Sequence, residues 1–359
     1  MIEATEPSAA RFDAERLQQA VDFAIARESA MDRDIARALD GGHFSEPLPD
    51  GEIIGPVRPR GDPNGMILRG GRIVTQWGPV DAPDMTFSIT KSYIAICAGI
   101  AWGDGLFDLD RPCRETVPDL FDAPQNRAIT WRQLLQQTSE WEGTLWGKAD
   151  RIDRHRSLNT APGAPSLKGT HRDLSAPGTF WEYNDIRVNV LSYALMRVFK
   201  RPLPEVLKER VMDPIGASGA WSWHGYGAHS TVDIEDRAME SVSGGAHWGG
   251  GLMIPTTDHA RVGLLMGAKG RWGDRQILSS DWVEHCLDPC PLHRGYGFLW
   301  WLNGNGETAP SAPASSYFAI GVGRNAIWVD PDLDLVAVVR WIDRDSFDGF
   351  VSRVIAAIS

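Results

Sequence analysis

Strand-forming segments lie toward both ends of the chain and enclose a helical middle, and this order limits the folds that the chain can adopt. Two short apolar runs around Gly70-Gly71 predict a β-hairpin over 65–77, and a helix is expected at about 88–104. From residue 105 to about 249 the pattern indicates helices at 131–137, 186–199 and 204–212, separated by loops rich in Gly, Pro and Asp, without a convincing strand. Beyond that point strands and helices alternate, with strands predicted at 251–255, 295–301, 326–329 and 333–341 and helices at 257–268 and 279–287.

Apolar residues also recur at helical spacing near the two ends, over 12–31 and over 346–359. The most economical architecture is an α/β (α+β) fold, in which one antiparallel sheet is built from both ends of the chain and flanked by the terminal helices. The helical middle is then an insertion. We expect 1–104 and 246–359 to form one α/β sandwich domain and 105–245 to form a mainly helical inserted domain.

The composition argues against several classes of protein. The chain has 359 residues with 36 basic and 47 acidic side chains, and the formal net charge of −11 argues against a nucleic-acid partner. It has no apolar run of 18 residues and no basic, apolar leader, so we expect a cytoplasmic protein without a membrane partner. Its four cysteines form no C-x-x-C pair, which favours reduced structural thiols.

Motifs of several other enzyme classes are missing. The chain contains no G-x-S-x-G, no H-E-x-x-H and no P-loop. The string from Gly321 to Ala326 has G-x-G-x-x-A spacing, but it runs into a predicted strand instead of a helix, so we do not interpret it as a dinucleotide-binding turn. No two of the nine histidines are four residues apart. We therefore expect neither a metal nor another cofactor.

Ser88-Ile89-Thr90-Lys91 is the strongest candidate for catalytic chemistry. A serine and a lysine three residues apart at a helix start project from one face, so the amine can reach the hydroxyl. Lysine acts as a base only when it is neutral, and the apolar residues on both sides of the motif favour the neutral amine. A helix start also offers free backbone N–H groups to an oxyanion. The alternative is structural: an N-cap serine followed by a solvated lysine.

The segments around this motif resemble the serine β-lactamase and penicillin-binding-protein superfamily, specifically its class C-like esterase and amidase branch, which includes nylon-oligomer hydrolases. Five segments resemble family motifs in the family's order: the nucleophile motif at Thr86–Ser92, the opening of the α domain at Ile129–Ser139, the Tyr-x-Asn segment at Pro177–Asp185, the return into the sheet at Gly249–Gly263, and the third-motif strand at Ala319–Pro331. The resemblance covers most of the chain and implies a mixed α/β fold with a helical insert.

The resemblance implies roles for individual residues. Ser88 would be the acylated nucleophile, Lys91 the base that activates it and Tyr183 the second proton carrier. The backbone N–H groups of Ser88 and Val322 would form the oxyanion hole. These roles imply a cofactor-free serine hydrolase that acts on a small-molecule ester or amide through an acyl-enzyme. An acyltransferase would use the same residues, and a non-catalytic ligand-binding or sensor protein is the alternative from another class.

The chain departs from the family at two positions that bear on substrate choice. Asp185 stands where the family has Asn, so a carboxylate replaces a neutral amide, and we expect it to suit a substrate with a cationic or N–H group. Ala319-Ile320-Gly321 stands where penicillin-recognising members have Lys-Thr-Gly or His-x-Gly, so the cation that would hold a β-lactam carboxylate is missing, unless the nearby Arg324 replaces it. Strong β-lactamase or D-Ala-D-Ala peptidase activity is therefore not expected.

Aromatic residues complete the predicted substrate site. The chain has 15 tryptophans, and several of them lie in Gly-rich loops, which suggests an aromatic-lined cleft. The predicted substrate-binding side chains besides Asp185 are His247, Trp141, Trp146, Trp181 and Trp248. For His247 the alternative is a loop histidine packed on Trp248.

Overall fold

The computed structural model describes residues 2–40, 46, 48–158 and 167–359. The α-helices in these residues are α1 (Ala14–Ala26), α2 (Ile35–Asp40), α3 (Ile89–Gly103), α4 (Trp131–Leu135), α5 (Asp185–Phe199), α6 (Leu203–Leu207), α7 (Thr256–Gly267), α8 (Ser280–Leu287) and α9 (Phe347–Ala357). The strands are β1 (Asn64–Arg69), β2 (Arg72–Trp77), β3 (Asp84–Met85), β4 (Thr144–Leu145), β5 (Lys148–Ala149), β6 (Ser222–His224), β7 (Thr231–Ile234), β8 (Arg237–Glu240), β9 (Gly251–Ile254), β10 (Arg271–Trp272), β11 (Arg275–Gln276), β12 (Trp301–Leu302), β13 (Tyr317–Gly321), β14 (Asn325–Asp330) and β15 (Leu335–Arg340).

Strands from the two ends of the chain form one six-stranded sheet with the order β12-β13-β14-β15-β1-β2. β1 and β2 are the predicted hairpin, and the φ values of +59° at Gly70 and +70° at Gly71 fit a turn that needs left-handed backbone at both central residues. β1 also pairs antiparallel with β15 over its whole length. The predicted α/β class, with an antiparallel sheet built from both ends of the chain, is therefore confirmed.

Helices cover both faces of this sheet. α1 and α9 pack against each other and on the face that buries Ile67 and Val339, whereas α3 and α7 lie on the face that buries Met66 and Val338. Adjacent residues of one strand point to opposite faces, so β1 and β15 each contribute to both layers of the core. The terminal helices flank the sheet as predicted.

The middle of the chain contains α4, α5 and α6 close to the helices expected at 131–137, 186–199 and 204–212, but it also contains strands that the sequence analysis did not predict. β4 pairs with β5, β7 pairs with β8, and β6 joins a three-stranded sheet of the order β3-β9-β6. Met239 is the one fully buried residue of β8. The apolar alternation that marks a strand in a sequence is therefore missing from β8.

The strand predicted at 295–301 is wrong except for its last residue, where β12 begins. Leu299 has a φ of +60°, and the Gly297 N–H donates to the Trp300 carbonyl, so a tight turn interrupts the segment. Phe298 and Trp300 are nevertheless fully buried. The apolar run reflects burial of a loop and not pairing of a strand.

α3 runs through the interior of the molecule, and this placement positions the predicted nucleophile. All its residues from Ile89 to Ala101 are buried, and it contacts β13, α5 and α8. A helix that is apolar on every side is a core helix. Ser88 is its N-cap residue, so it lies at the end of a rigid element between the sheet and the middle segment. No helix in the described part of the chain combines the length and the apolar character needed to cross a membrane.

Candidate active site

Ser88 lies in a tightly constrained turn. Phe87, just before it, has a φ of +48°, a left-handed conformation that bulky residues adopt only when their surroundings enforce it. Two glycines allow the close packing around this turn. A Cβ atom at Gly245 would lie 1.9 Å from the Phe87 carbonyl oxygen, and one at Gly321 would lie 2.2 Å from the Thr86 carbonyl oxygen. Ser88 itself is partly exposed, so a rigid turn presents its hydroxyl where a ligand can reach it.

The predicted serine–lysine pair is present. Lys91 Nζ lies 3.0 Å from Ser88 Oγ and donates to the Gly244 carbonyl at 3.1 Å. The two residues share one face of α3, as residues three apart in a helix do. The Lys91 side chain is 1% exposed, which does not fit the alternative of a solvated lysine.

Lys91 is also one half of a buried ion pair, which the sequence analysis did not predict. Its Nζ lies 2.7 Å from Oδ1 of Asp185, whose side chain is likewise 1% exposed. Burial is the largest single influence and lowers the pKa of Lys91, but the charge of Asp185, its hydrogen bond and the nearby Tyr183 together more than offset it, so the pKa is raised above the ordinary lysine value. The expectation that apolar flanks make this amine neutral is therefore wrong, and the resting side chain is an ammonium.

Asp185, at the first residue of α5, is held by several neighbours. Arg156 donates to its Oδ2 at 2.6 Å, while Lys91 faces Oδ1, and the Asp185 N–H donates to Asp153 Oδ2 at 2.6 Å. Burial would raise the pKa of Asp185, but Arg156 and Lys91 hold it well below the ordinary range. The expected contact with a cationic substrate is corrected accordingly, because the protein's own cations bind both carboxylate oxygens.

Tyr183 lies beside Lys91. The centre of its ring is 5.1 Å from Lys91 Nζ and 5.2 Å from Arg156 Cζ, and the residue is 3% exposed. Trp301 also stacks on it, with ring centroids 5.8 Å apart. Cations near an aromatic face are attracted to it, so these contacts hold the Tyr183 ring in one place next to the lysine. Its role as a second proton carrier stays a prediction.

His247 is a buried histidine packed on Trp248, with ring centroids 4.2 Å apart, and this is the alternative given for it above. Its Nε2 lies 2.5 Å from Glu46 Oε2, and its Nδ1 lies 3.4 Å from Asp185 Oδ2. At 4% exposure it offers little surface to a substrate. It contacts the carboxylate that pairs with Lys91 instead.

Glu46, Asp153 and His247 bring atoms that could bind a metal within 4.8 Å of one another. The ammonium of Lys168 lies among them. It pairs with Glu46, lies 3.1 Å from Asp153 Oδ1 and lies 3.4 Å from His247 Nε2. Because a side-chain cation already neutralises these carboxylates, we interpret the cluster as an ion-pair network and not as a metal site.

Two of the predicted pocket residues, Trp141 and Trp248, belong to the core, contrary to the prediction. Trp141 is 4% exposed and donates its indole N–H to the Leu120 carbonyl at 2.8 Å. Trp248 is fully buried and donates to the Asp50 carbonyl at 2.8 Å. Buried indoles need such a partner, and these backbone carbonyls supply it.

Trp181 and Trp146 are half-buried, and their contact with a substrate stays a prediction. Trp181 packs on Tyr296 with centroids 5.5 Å apart, and Tyr296 packs on Tyr183 at 6.2 Å. Trp181 is therefore part of the aromatic cluster beside Lys91. Trp146 packs on two other tyrosine rings, those of Tyr193 and Tyr226.

The end of β13 lies beside the nucleophile. A Cβ atom at Gly321 would lie 3.3 Å from the backbone nitrogen of Ser88, and the partly exposed Val322 follows directly. The side-chain amide of Asn325 donates to the Val322 carbonyl at 2.6 Å and fixes the turn. Val322 as the second oxyanion donor stays a prediction.

Arg324, in the same turn, is directed toward the terminal helix. Its Cζ lies 4.8 Å from the ring centroid of Phe347 in α9. Burial lowers the pKa of Arg324 to about 10. Arg324 thus packs on α9, and this contact does not support the suggestion that it replaces the missing third-motif cation.

Sequence analysis missed Arg156, Asp153 and Lys168, which surround Asp185 and His247. One signal for them was available. A carboxylate at a position where the family has an amide must find a cation if it is buried. The sequence does not show which arginine or lysine supplies that cation, because the partner comes from a different segment.

Comparisons with known proteins identify the family and the fold. The model of the family described as Beta-lactamase matches residues 65–349. A Bacillus anthracis structure assigned as a 6-aminohexanoate-dimer hydrolase is 14% identical with a TM-score of 0.62, and the match covers 99% of this chain and 86% of that one. No curated protein sequence matches this chain significantly.

Two further solved structures are similar over nearly the whole chain. EstCE1, described as a hydrolase with promiscuous acyltransferase activity, is 16% identical with a TM-score of 0.60, covering 96% of this chain and 98% of that one. A D-stereospecific amidohydrolase from Streptomyces sp. is 15% identical with a TM-score of 0.54, and the covered shares are again 96% and 98%. Identities this low show a shared fold.

Proposed function

Because the chain belongs to the beta-lactamase family, we propose that it is a serine hydrolase of the class C-like branch that cleaves a small ester or amide through an acyl-enzyme on Ser88. The observation that carries the proposal is the distance of 3.0 Å between Ser88 Oγ and Lys91 Nζ at the start of α3. A nucleophile with a base in hydrogen-bond reach is the minimum that acyl transfer requires.

In the acylation step, the neutral form of Lys91 takes the proton from Ser88 Oγ as the oxygen attacks the substrate carbonyl carbon. The oxyanion that forms would accept hydrogen bonds from the N–H groups of Ser88 and Val322. Such donors act where charge develops, and removing one typically lowers the rate about 10²–10³-fold.

When the first tetrahedral intermediate collapses, Tyr183 would pass the proton that Lys91 took from Ser88 to the leaving group, and in deacylation it would help a water molecule attack the acyl-enzyme. The support for this role is its position. Its ring centre lies 5.1 Å from Lys91 Nζ, which places the tyrosine next to the base.

The charges around the site favour a substrate without a carboxylate or ammonium at the scissile end. Asp185 is already paired with Lys91 and Arg156, and Arg324 packs on Phe347. The third-motif position carries Ala319 and Gly321 in place of a cation. A neutral ester or a linear amide suits these residues better than a β-lactam, and the likeness to a structure described as a D-stereospecific amidohydrolase supports an amide.

Acyl transfer to an alcohol or amine is the second candidate, supported by the likeness to a hydrolase with promiscuous acyltransferase activity. It differs from hydrolysis only in the acceptor. Product analysis with p-nitrophenyl butyrate and a primary alcohol separates the two, since a transferase yields the alkyl butyrate and a hydrolase yields butyrate.

The proposal is tested by intact-protein mass spectrometry after incubation with a fluorophosphonate and, separately, with p-nitrophenyl acetate and butyrate. We expect one adduct on Ser88 that is lost in Ser88→Ala. Ser92→Ala is the matched control, because Ser92 lies one turn along the same helix and donates to the Leu299 carbonyl at 2.8 Å. An absent adduct, or one that survives Ser88→Ala, contradicts the proposal and favours a ligand-binding protein.

A further inference from the structure

Asp185 divides its carboxylate between two cations in the interior. Oδ1 faces Lys91 Nζ at 2.7 Å and Oδ2 faces Arg156 at 2.6 Å, and none of these three side chains is more than 8% exposed. Among the described residues its other charged or titratable neighbours include His247, whose Nδ1 is 3.4 Å from Oδ2, and Asp153, which accepts the Asp185 N–H and also binds Arg156 at 3.0 Å. The phenols of Tyr226 and Tyr296 also interact electrostatically with Asp185.

Lys91 has its own set of neighbours. Asp185 faces it from α5, the Tyr183 ring faces it from the segment before α5, and the Gly244 carbonyl and Ser88 Oγ accept its hydrogens. Of these groups Asp185 is the one that carries a full negative charge. In a water-excluded site such a charge stabilises an ammonium far more than a neutral amide does.

We propose that Ser88, Lys91 and Asp185 form a serine–lysine–aspartate relay, in which Asp185 is a positioning residue that stabilises the ammonium created when Lys91 takes the serine proton. The proposal rests on the proposed function, because it concerns the acylation of Ser88. It gives Asp185 a different role from the substrate contact expected from the sequence.

The proton and electrons balance within the relay. The Ser88 O–H bond breaks, the oxygen electron pair forms the bond to the carbonyl carbon, and the carbonyl π pair moves to its oxygen. The proton goes to the lone pair of neutral Lys91 and makes an ammonium opposite Asp185 Oδ1. When the tetrahedral intermediate collapses, that proton leaves with the leaving group and Lys91 is neutral again, while Asp185 stays ionised throughout.

The ion pair between Asp185 and Lys91 also slows acylation at neutral pH, because it keeps Lys91 protonated until the pH is high. Acylation should therefore rise with pH across the raised pKa of Lys91. Since the ordinary lysine pKa is about 10.4, we expect the rate constant for fluorophosphonate labelling of the native protein to be still increasing at about pH 10. A labelling rate that is flat above neutral pH would overturn the relay without any variant.

Asp185→Asn is the decisive variant, because it is isosteric and restores the residue of the family motif. The pH range over which the labelling rate constant increases is the rising limb of the profile. Loss of the Asp185 charge at this distance should move this rising limb to lower pH by about 1–3 units. The plateau above the limb should fall about tenfold, since the less basic amine transfers the proton less well. A limb that stays at the native pH contradicts the proposal.

We expect Arg156→Gln to move the rising limb of the labelling profile in the opposite direction. Arg156 lowers the pKa of Lys91 through its own charge and also shares Asp185, so its removal should move the limb to higher pH. Shifts in opposite directions from the two variants are not expected of a general loss of structure. Shifts in the same direction would overturn the relay, and this variant also decides the question if Asp185→Asn does not fold.

Asp150→Asn is the matched control. Asp150 is another buried carboxylate in the middle of the chain, and it binds Arg154 at 3.0 Å and Arg187 at 3.4 Å. We expect its labelling profile to match the native one, and an equal shift would assign the effect to any loss of buried charge.

If the native protein acquires no adduct on Ser88, the proposed function itself fails together with the relay. If Ser88 is labelled but the profile of Asp185→Asn is unchanged, only the relay fails.

Discussion

At the scale of single residues, the chemistry of this site depends on which group carries each proton. Lys91 and Arg156 contact the ring of Tyr183, and Trp301 stacks on it. The Tyr183 hydroxyl can therefore be removed without displacing the ring. Its contribution can therefore be measured separately from its packing.

We expect Tyr183→Phe to lower the turnover of an alkyl amide about 10²–10⁴-fold, the range for loss of a positioned proton donor. Acylation by p-nitrophenyl acetate should fall much less, because nitrophenolate leaves without a proton. The measurement is kcat/KM for both substrates. Tyr296→Phe, in the same aromatic cluster, should affect the two substrates equally, and an equal loss for Tyr183→Phe would exclude it as the proton carrier.

Sequence analysis found the residues whose geometry is local and missed those whose partners are distant. Ser88 and Lys91 meet because a helix brings residues three apart onto one face. Whether Lys91 is charged depends on Asp185, which a different helix supplies. The apolar flanks of the motif indicated burial correctly, but burial lowers the pKa of Lys91, whereas Asp185 and Tyr183 together raise it by more.

At the scale of elements, the start of α3 depends on glycines from two other segments. Gly245 has a φ of +79°, and a Cβ atom there would lie 1.9 Å from the Phe87 carbonyl oxygen. A side chain would displace the turn that carries Ser88, so this glycine controls the geometry of the nucleophile from outside its helix.

We expect Gly245→Ala to destabilise the protein by about 2–4 kcal/mol, since backbone strain and overpacking each contribute about 1–3 kcal/mol. Labelling of Ser88 should be lost as well. Gly147→Ala is the control, because Gly147 has the same φ of +79° but no atom within 4 Å of its added Cβ. Unfolding in urea and fluorophosphonate labelling measure both effects. Similar losses in the two variants would show that strain alone is responsible.

The elements themselves were predictable where the pattern is strong. The hairpin β1–β2 follows from Gly70-Gly71 between apolar runs, and α9 follows from its helical spacing. β6, β7 and β8 were missed because they have only three or four residues each, too few for a clear alternating pattern. The segment at 295–301 was misassigned because an apolar loop and an apolar strand have the same composition.

At the scale of the whole molecule, a buried histidine couples stability to pH. His259 is fully buried behind α3, with Nε2 2.9 Å from Thr86 Oγ1 and Nδ1 2.8 Å from Tyr93 Oη. Burial and the charge of Arg340 hold the pKa of His259 well below the ordinary value. The folded protein thus keeps this ring neutral at a pH where the unfolded chain protonates it.

The contribution of neutral His259 to the free energy of unfolding should therefore be fully present above about pH 6.5. Below that pH the free energy of unfolding should fall, by up to about 1.4 kcal/mol per pH unit from His259. Urea unfolding between pH 7 and pH 5 tests this. His259→Gln should flatten the dependence, whereas His171→Gln should not, because the His171 side chain is 86% exposed. An unchanged slope in His259→Gln would assign the pH dependence to other groups.

The pairing of β1 with β15 also determines when the sheet can form during synthesis. The hairpin leaves the ribosome early, but its neighbour in the sheet is made only after α3, the whole middle segment and α7. At ordinary translation rates that interval is roughly tens of seconds. During that interval the edge of β1 that pairs with β15 has no partner strand, and α7 and α9 are not yet available to cover the faces of the hairpin. The nascent chain must therefore depend on chaperones or on transient contacts to avoid aggregation, and any slowing of translation lengthens that exposure.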